Sequence, residues 1–227
     1  MNTAAYYNLL DELKPMNVQL LAVSKTRTPV EIQEMYELGQ RDFGENYVQE
    51  LVDKQTTLPA AIRWHFIGHL QSNKVKYIAP FVYMIQGVDS LRLLLEIEKQ
   101  AKKNHRVILC LLQVHIAREE TKFGFSEREL MELAETILLY RKEDKLAGIH
   151  IAGLMGMASL TEDQQQIRDE FKHLKTLFDR IKKTLPEEPI QTLSMGMSSD
   201  YPIAIQEGST MIRIGTALFG ERSYTKG

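Results

Sequence analysis

The sequence of 227 residues contains a single cysteine, Cys110, and no long apolar run. One cysteine excludes a disulfide framework and a zinc site built from cysteines. A helix that crosses a membrane needs roughly 18 or more consecutive apolar residues, whereas residues 1–13 mix apolar side chains with Asn, Asp and Glu. We therefore expect neither a signal peptide nor a membrane anchor, no membrane partner, and a cytoplasmic location.

Charge of one sign is also lacking. The 28 lysines and arginines are balanced by 30 aspartates and glutamates, which leaves a formal net charge of −2. Without a basic run or tail, a nucleic-acid partner is not expected. No linker rich in proline, glycine or serine divides the chain, so we expect a single domain over residues 1–227. We also expect a monomer.

Short apolar runs alternate with amphipathic stretches along the whole chain. The predicted strands are Gln19–Lys25, Arg41–Gly44, Arg63–Ile67, Tyr83–Val88, Arg106–His115, Ala147–Leu154, Thr192–Met195 and Met211–Ile214. The predicted helices are Thr28–Leu38, Asn46–Lys54, Ser72–Ile78, Leu91–Lys102, Glu127–Leu138 and Asp163–Lys183, with a further one around Tyr201–Gln206.

Strands that alternate with helices predict βα units and a parallel sheet. Eight such units in 227 residues fit an α/β fold of the (β/α)8 TIM barrel type, near its lower size limit. A doubly wound open sheet is the alternative.

In a barrel, the chemistry lies where the strands end, and a phosphate is often held after strands seven and eight. Strand seven is followed by Gly196, Met197, Ser198 and Ser199, and strand eight by Gly215 and Thr216. Small residues let backbone N–H groups approach an anion, and hydroxyls can donate to it. This pattern predicts a ligand with a phosphate; in the alternative interpretation these residues only form turns.

The first strand supplies a lysine at the same end of the barrel. The apolar run 20–23 is followed by Ser24 and Lys25. Partial desolvation and neighbouring cations can lower the pKa of an amine there, so that it can form a Schiff base. A lysine that faces a phosphate pocket suits pyridoxal 5′-phosphate, which carries an aldehyde and a phosphate. A strand-end lysine can also be only a solvated charge.

Six segments, in order along nearly the whole chain, resemble the pyridoxal-phosphate homeostasis protein family. They are residues 22–25 (AVSK), 43–50 (FGENYVQE), 65–74 (HFIGHLQSNK), 153–157 (GLMGM), 193–198 (LSMGMS) and 208–215 (GSTMIRIG). The resemblance implies a single barrel like the N-terminal domain of alanine racemase, a fold type III pyridoxal-phosphate protein.

The resemblance also implies the site residues. Lys25 would form the Schiff base with pyridoxal 5′-phosphate, and Asn46 would face the ring or its substituents. Ser198, Gly215 and Thr216 would hold the phosphate, with Arg213 near the pyridine ring. A guanidinium has no acceptor atom and keeps its proton, so Arg213 would weaken the cofactor as an electron sink while still binding it.

Racemisation needs a second acid or base opposite the lysine. In the racemases, the resemblance implies a tyrosine from an additional β-domain of the partner subunit. The sequence ends at Gly227, and we expect no such domain. The candidates within the barrel are His65, His69, His115, His150, Tyr47 and Tyr201, each of which is also readily explained by packing or hydrogen bonding.

Three functions remain open. The first is a cofactor-binding protein without strong catalysis, which buffers pyridoxal 5′-phosphate and delivers it to apo-enzymes that need it. The second is an amino-acid racemase of the alanine type with a minimal barrel. The third is an aldolase-like barrel enzyme in which Lys25 reacts without a cofactor. A complete predicted cofactor site beside an incomplete catalytic one favours the first.

Overall fold

Eight parallel strands close into a barrel in the order β1 to β8, in a computed structural model that describes residues 2–119 and 123–220. The strands are β1 (Gln19–Val23), β2 (Asp42–Glu45), β3 (Arg63–Phe66), β4 (Met84–Val88), β5 (Ile108–Val114), β6 (Ile149–Gly156), β7 (Thr192–Met197) and β8 (Met211–Ile214). The pairing of β1 with β8 closes the ring, with Leu21 opposite Arg213. The predicted barrel is confirmed, and the open sheet is not formed.

Helices surround this barrel in alternation with the strands. They are α1 (Thr3–Leu13), α2 (Pro29–Glu37), α3 (Val48–Thr57), α4 (Val75–Ile78), α5 (Leu91–Lys103), α6 (Glu127–Lys142), α7 (Gln164–Thr184), α8 (Tyr201–Gln206) and α9 (Thr216–Phe219). Short 3-10 turns at Lys14–Met16 and Ser72–Lys74 precede β1 and α4. Residues 221–227, at the end of the predicted single domain, lie outside the described residues.

Local signals set several helix boundaries. Ser126 caps α6 in a reciprocal box, because its hydroxyl accepts from the Glu129 amide and its own amide donates to the Glu129 carboxylate. Pro29 opens α2, and Gly39 follows its end at a φ of +108°, a conformation that glycine adopts without strain. These three predicted markers are confirmed.

The sequence prediction omitted α1, and it placed the start of α3 two residues early. Asn2 caps α1 by accepting a hydrogen bond from the Ala5 amide at 3.0 Å. Tyr6, Leu9 and Leu13 are buried at spacings of three and four, a pattern that was readable but short. Because α3 begins at Val48, Asn46 lies in the loop after β2 and not in a helix.

Most of the core lies between the strands and the helices. A smaller, separate apolar cluster is formed by Met84, Leu111, Ala152 and Met155. Parallel strands that are covered on both faces read as nearly continuous apolar runs, which explains why strands such as β1 and β5 were recognisable from the sequence. No helix in the described part of the chain is long and apolar enough to cross a membrane.

Cys110 lies in β5 and is fully buried. Burial raises the pKa of its thiol well above the usual range, and the thiolate is the reactive form. We expect no reaction of Cys110 with a thiol-specific disulfide reagent in the native protein, and one reactive thiol per chain in concentrated urea. Rapid reaction of the native protein would contradict this burial.

Candidate cofactor-binding site

A cavity of about 330 Å³ opens at the carboxyl ends of the strands, in the size range of small-molecule sites. All the predicted site residues line it: Lys25, Asn46, Ser198, Arg213, Gly215 and Thr216. The structure thus brings together residues that are up to 191 positions apart (216 − 25). Their roles toward a ligand remain predictions.

The backbone on both sides of Lys25 is fixed by side chains from β2 and α3. The Ser24 hydroxyl donates to Glu45 Oε1 at 2.6 Å, and the Ser24 carbonyl accepts from Lys54 Nζ at 2.8 Å. The Thr26 amide donates to Glu50 Oε1 at 2.5 Å, and Thr26 adopts a φ of +64°. Ser24 is buried behind the barrel wall, while Lys25 lines the cavity.

The buried Lys54 and Glu45 form an ion cluster with the half-buried Glu50 beside this segment. Lys54 Nζ lies 2.7 Å from Glu45 Oε1 and 2.6 Å from Glu50 Oε1. Burial raises the pKa of Glu45, and the Lys54 ammonium and Ser24 hydroxyl oppose that rise. The sequence analysis missed this cluster, although Glu50 and Lys54 stand four residues apart on one helix, the spacing of an intrahelical ion pair.

The ends of β7 and β8 form a cradle suited to an anion. Ser198 and Ser199 follow β7, and Gly215 caps α9, whose first residue is Thr216. The first N–H groups of a helix have no acceptor within the helix, so they can donate to an anion, as can the serine and threonine hydroxyls.

Gly196 makes the turn after β7 possible. Its φ is +95°, and a Cβ on it would lie 2.6 Å from the Ala204 Cβ, closer than real Cβ atoms come. The Met197 amide donates to Asp200 Oδ1 at 2.6 Å. Glycine at this position therefore lets α8 pack closely against the strand end that leads to Ser198.

Arg213 is buried at the cavity wall. Its Nη1 donates to the carbonyl and the hydroxyl of Ser194, both at 2.8 Å, and its Nη2 donates to the Gly156 carbonyl at 3.0 Å. Burial lowers its pKa to about 10, against the opposing charge of Asp200. The guanidinium therefore keeps its charge at neutral pH, and these three hydrogen bonds all end on neutral oxygens.

Asn46 carries an unsatisfied polar atom. Its Oδ1 is buried and has no hydrogen-bond partner in the described part of the chain. An unpaired buried amide oxygen costs about 1–3 kcal/mol, which a ligand with a donor group would recover. The remaining walls are apolar and belong to Val23, Ile67, Met155, Met157 and Met197, whereas Met195 belongs to the core.

None of the histidines and tyrosines considered as a second acid or base is among the described residues that line the cavity. His65 is fully buried and lies 3.0 Å from both Asp42 and Gln86. His69 pairs with Asp89 at 3.0 Å and stacks on Phe123 with ring centroids 4.0 Å apart. The structure thus brings together the predicted binding residues and leaves these candidates outside the cavity.

We expect Asp42, at the start of β2, to make the free energy of unfolding depend on pH in the acid range. Burial would raise its pKa, but hydrogen bonds from Arg63 and His65 lower it to about 2, below its unfolded value of about 4. Stability from a lowered carboxyl pKa is present above the unfolded pKa and is lost as the pH falls toward the folded one.

We therefore expect the stability advantage of the wild type over Asp42→Asn to shrink by about 1 kcal/mol between pH 6 and pH 3. Urea unfolding of both proteins across this range measures it. A difference that stays constant with pH would show that Asp42 does not titrate in this way.

Comparisons with known proteins agree with this geometry. A family model described as the N-terminal domain of alanine racemase matches residues 3–223. The pyridoxal phosphate homeostasis protein of Pasteurella multocida is 40% identical over 214 residues, which is 92% of this chain and 88% of that protein. The Aquifex aeolicus protein of the same name is 41% identical, over 91% of this chain and 88% of its own length.

The chain belongs to the pyridoxal phosphate homeostasis protein family. The resemblance inferred from the six sequence segments is thereby confirmed. The structure of PipY from Synechococcus elongatus determined without PLP superposes with a TM-score of 0.87 at 36% identity, covering 96% of this chain and 99% of that one. A second PipY structure, with PLP bound, has a TM-score of 0.85 at 37% identity.

Alanine racemases share the fold with this homeostasis-family chain. The Clostridium difficile 630 enzyme superposes with a TM-score of 0.69 at 15% identity, over 97% of this chain and 57% of the racemase chain. At this level of identity the likeness concerns the barrel alone.

Proposed function

We propose that the protein binds pyridoxal 5′-phosphate reversibly and serves the intracellular homeostasis of this cofactor. The observation that carries the proposal is the convergence of a lysine, an anion cradle and an unpaired Asn46 oxygen on one cavity. The PLP-bound PipY structure and the names of the curated relatives support the same cofactor.

The residues present fit the cofactor. Lys25 offers a primary amine, and Ser198, Gly215 and Thr216 offer N–H and hydroxyl donors to a phosphate. The buried Asn46 Oδ1 needs a donor. Pyridoxal 5′-phosphate supplies an aldehyde that reacts with amines. The methionine side chains are adaptable and polarizable, and they suit a flat aromatic ring.

Arg213 and the cavity lining favour binding over catalysis. A guanidinium can only donate hydrogen bonds, so Arg213 would leave a ring nitrogen that faces it unprotonated and limit the cofactor as an electron sink. Proton transfer on both faces of a substrate also needs a second acid or base, and no histidine or tyrosine is among the described lining residues. We propose a carrier that releases the cofactor to apo-enzymes, in preference to an amino-acid racemase.

A titration tests the proposal. The full-length protein is mixed with pyridoxal 5′-phosphate and, separately, with pyridoxal, which lacks the phosphate, while the visible absorbance is recorded. We expect saturable binding of the phosphate form, at least about tenfold weaker binding of pyridoxal, equivalent to about 1.4 kcal/mol, and recovery of activity when the loaded protein meets an apo-enzyme.

Two results would contradict the proposal. If the full-length protein did not bind pyridoxal 5′-phosphate, the proposed function would be wrong. Steady racemisation of alanine by the loaded protein, lost in Lys25→Ala, would make the racemase the better interpretation.

A further inference from the structure

A chain of polar side chains runs through the barrel interior and ends at Arg213. His65 Nε2 lies 3.0 Å from Asp42 Oδ1, and His65 Nδ1 lies 3.0 Å from Gln86 Nε2. Gln86 Oε1 accepts from the Ser194 hydroxyl at 2.7 Å, and the Ser194 hydroxyl oxygen accepts from Arg213 Nη1 at 2.8 Å. These side chains are all buried, and water therefore competes little for their hydrogen bonds.

The Gln86 amide, with Oε1 toward Ser194 and Nε2 toward His65, sets the direction of these bonds. Arg213 can only donate, so the Ser194 oxygen accepts from it, while the Ser194 hydroxyl donates to Gln86 Oε1. Gln86 then presents its oxygen to Ser194 and its amide hydrogens to His65, whose Nδ1 must accept.

At the other end, the remaining imidazole proton lies on His65 Nε2 and faces Asp42. Arg63 holds the Asp42 carboxylate with bonds of 2.7 and 2.5 Å. This series of hydrogen bonds therefore fits a neutral His65 and an ionised Asp42.

This direction matters for Arg213. The Ser194 hydroxyl hydrogen is held by Gln86, so the lone pairs of the oxygen remain directed to Nη1. Without the Gln86 acceptor the hydroxyl could rotate, and its hydrogen would compete for the space that Nη1 uses. Arg213 lines the cavity, so its orientation sets which N–H group faces a ligand.

We propose that Asp42, His65, Gln86 and Ser194 are positioning residues, which orient Arg213 toward bound pyridoxal 5′-phosphate from within the barrel and hold the His65 proton on Nε2. The proposal rests on the proposed function, because Arg213 acts here on the cofactor.

Nitrogen-15 NMR of the imidazole rings tests the direction of these hydrogen bonds in the wild-type protein without added cofactor. The His65 signal is assigned by its loss in His65→Asn. We expect a protonated Nε2 and a hydrogen-bonded, unprotonated Nδ1 at neutral pH. A proton on Nδ1 would overturn the proposal, whatever the protein binds.

Substitutions of Gln86 test the effect on the cofactor. Gln86→Met keeps the size of the side chain and removes both polar atoms, and we expect roughly tenfold weaker binding of pyridoxal 5′-phosphate, the effect of losing one hydrogen bond to a charged group, with a shifted absorbance band. Gln86→Glu keeps the acceptor for Ser194 and replaces the amide group that faces His65. We expect this variant to retain wild-type affinity and band position.

A double-mutant cycle separates positioning from a general loss of stability. In an Arg213→Met background, Gln86→Met should weaken cofactor binding by less than about twofold further, because the residue through which it acts is gone. Ile85→Val, buried on the neighbouring position of β4, is the control and should leave affinity and band position unchanged.

The failures of the two proposals are distinguishable. Binding by the wild type, with Gln86→Met weakening it equally in both backgrounds or not at all, would overturn the positioning role alone. A wild type that binds no pyridoxal 5′-phosphate would instead overturn the proposed function.

Discussion

Replacing Lys25 with alanine is expected to abolish covalent binding of pyridoxal 5′-phosphate and its visible absorbance band. Lys25 is the second residue after β1, lines the cavity, and is flanked by Ser24 and Thr26, whose positions are fixed by hydrogen bonds. Without the amine, the cofactor would be held by the anion cradle, Asn46 and Arg213. We expect affinity to fall at least about tenfold, equivalent to about 1.4 kcal/mol, as measured by equilibrium dialysis.

Lys25→Arg is the matched control for this variant. Arginine keeps a positive charge at the cavity but stays protonated and does not act as a nucleophilic amine in proteins. Both variants should therefore be colourless, while arginine should preserve more of the non-covalent affinity. A normal absorbance band in either variant would show that another group carries the covalent bond.

The second large effect is expected for Lys54→Met. Lys54 is buried, and its Nζ bridges Glu45, Glu50 and the Ser24 carbonyl within 2.8 Å. Removing one partner from a buried ion pair costs about 3–5 kcal/mol because it leaves an uncompensated charge. We expect a loss of this size in the free energy of unfolding, as measured with urea.

Two further variants show whether burial is the cause. Lys175→Met removes an i,i+4 pair with Asp179 that is partly exposed, and we expect a loss of less than about 1 kcal/mol. Adding Glu45→Gln to Lys54→Met removes the fully buried one of the two carboxylates that lose their partner, and it should recover part of the stability. Equal losses for Lys54→Met and Lys175→Met would contradict the buried cluster.

The barrel and the outline of its site were predictable because they depend on local signals. Most strands contain a short apolar run, and the barrel rule assigns chemistry to the residues that follow the strands. Lys25, Ser198 and Gly215 stand at such ends, and closure of the ring brings them to one cavity. The family resemblance added Asn46 and Arg213, which carry no local signal of their own.

The supporting contacts were not predictable in the same way. The Glu45–Lys54 pair depends on how α3 packs on β2. The hydrogen-bonded chain from Asp42 to Arg213 depends on the registers of β2, β3 and β4 and of β7 and β8. It also depends on closure of the barrel, which brings Gln86 within reach of Ser194. His65 in particular was considered as an acid or base, and only the packed barrel shows it enclosed between Asp42 and Gln86.

The most direct test of the account is reduction with borohydride followed by mass spectrometry. Wild-type protein is loaded with pyridoxal 5′-phosphate, reduced, digested and mapped. The account predicts one reduced cofactor per chain, attached to the peptide that contains Lys25, and none in Lys25→Ala. Attachment mainly to another lysine, or no attachment, would contradict the assignment of Lys25 as the residue on which cofactor binding depends.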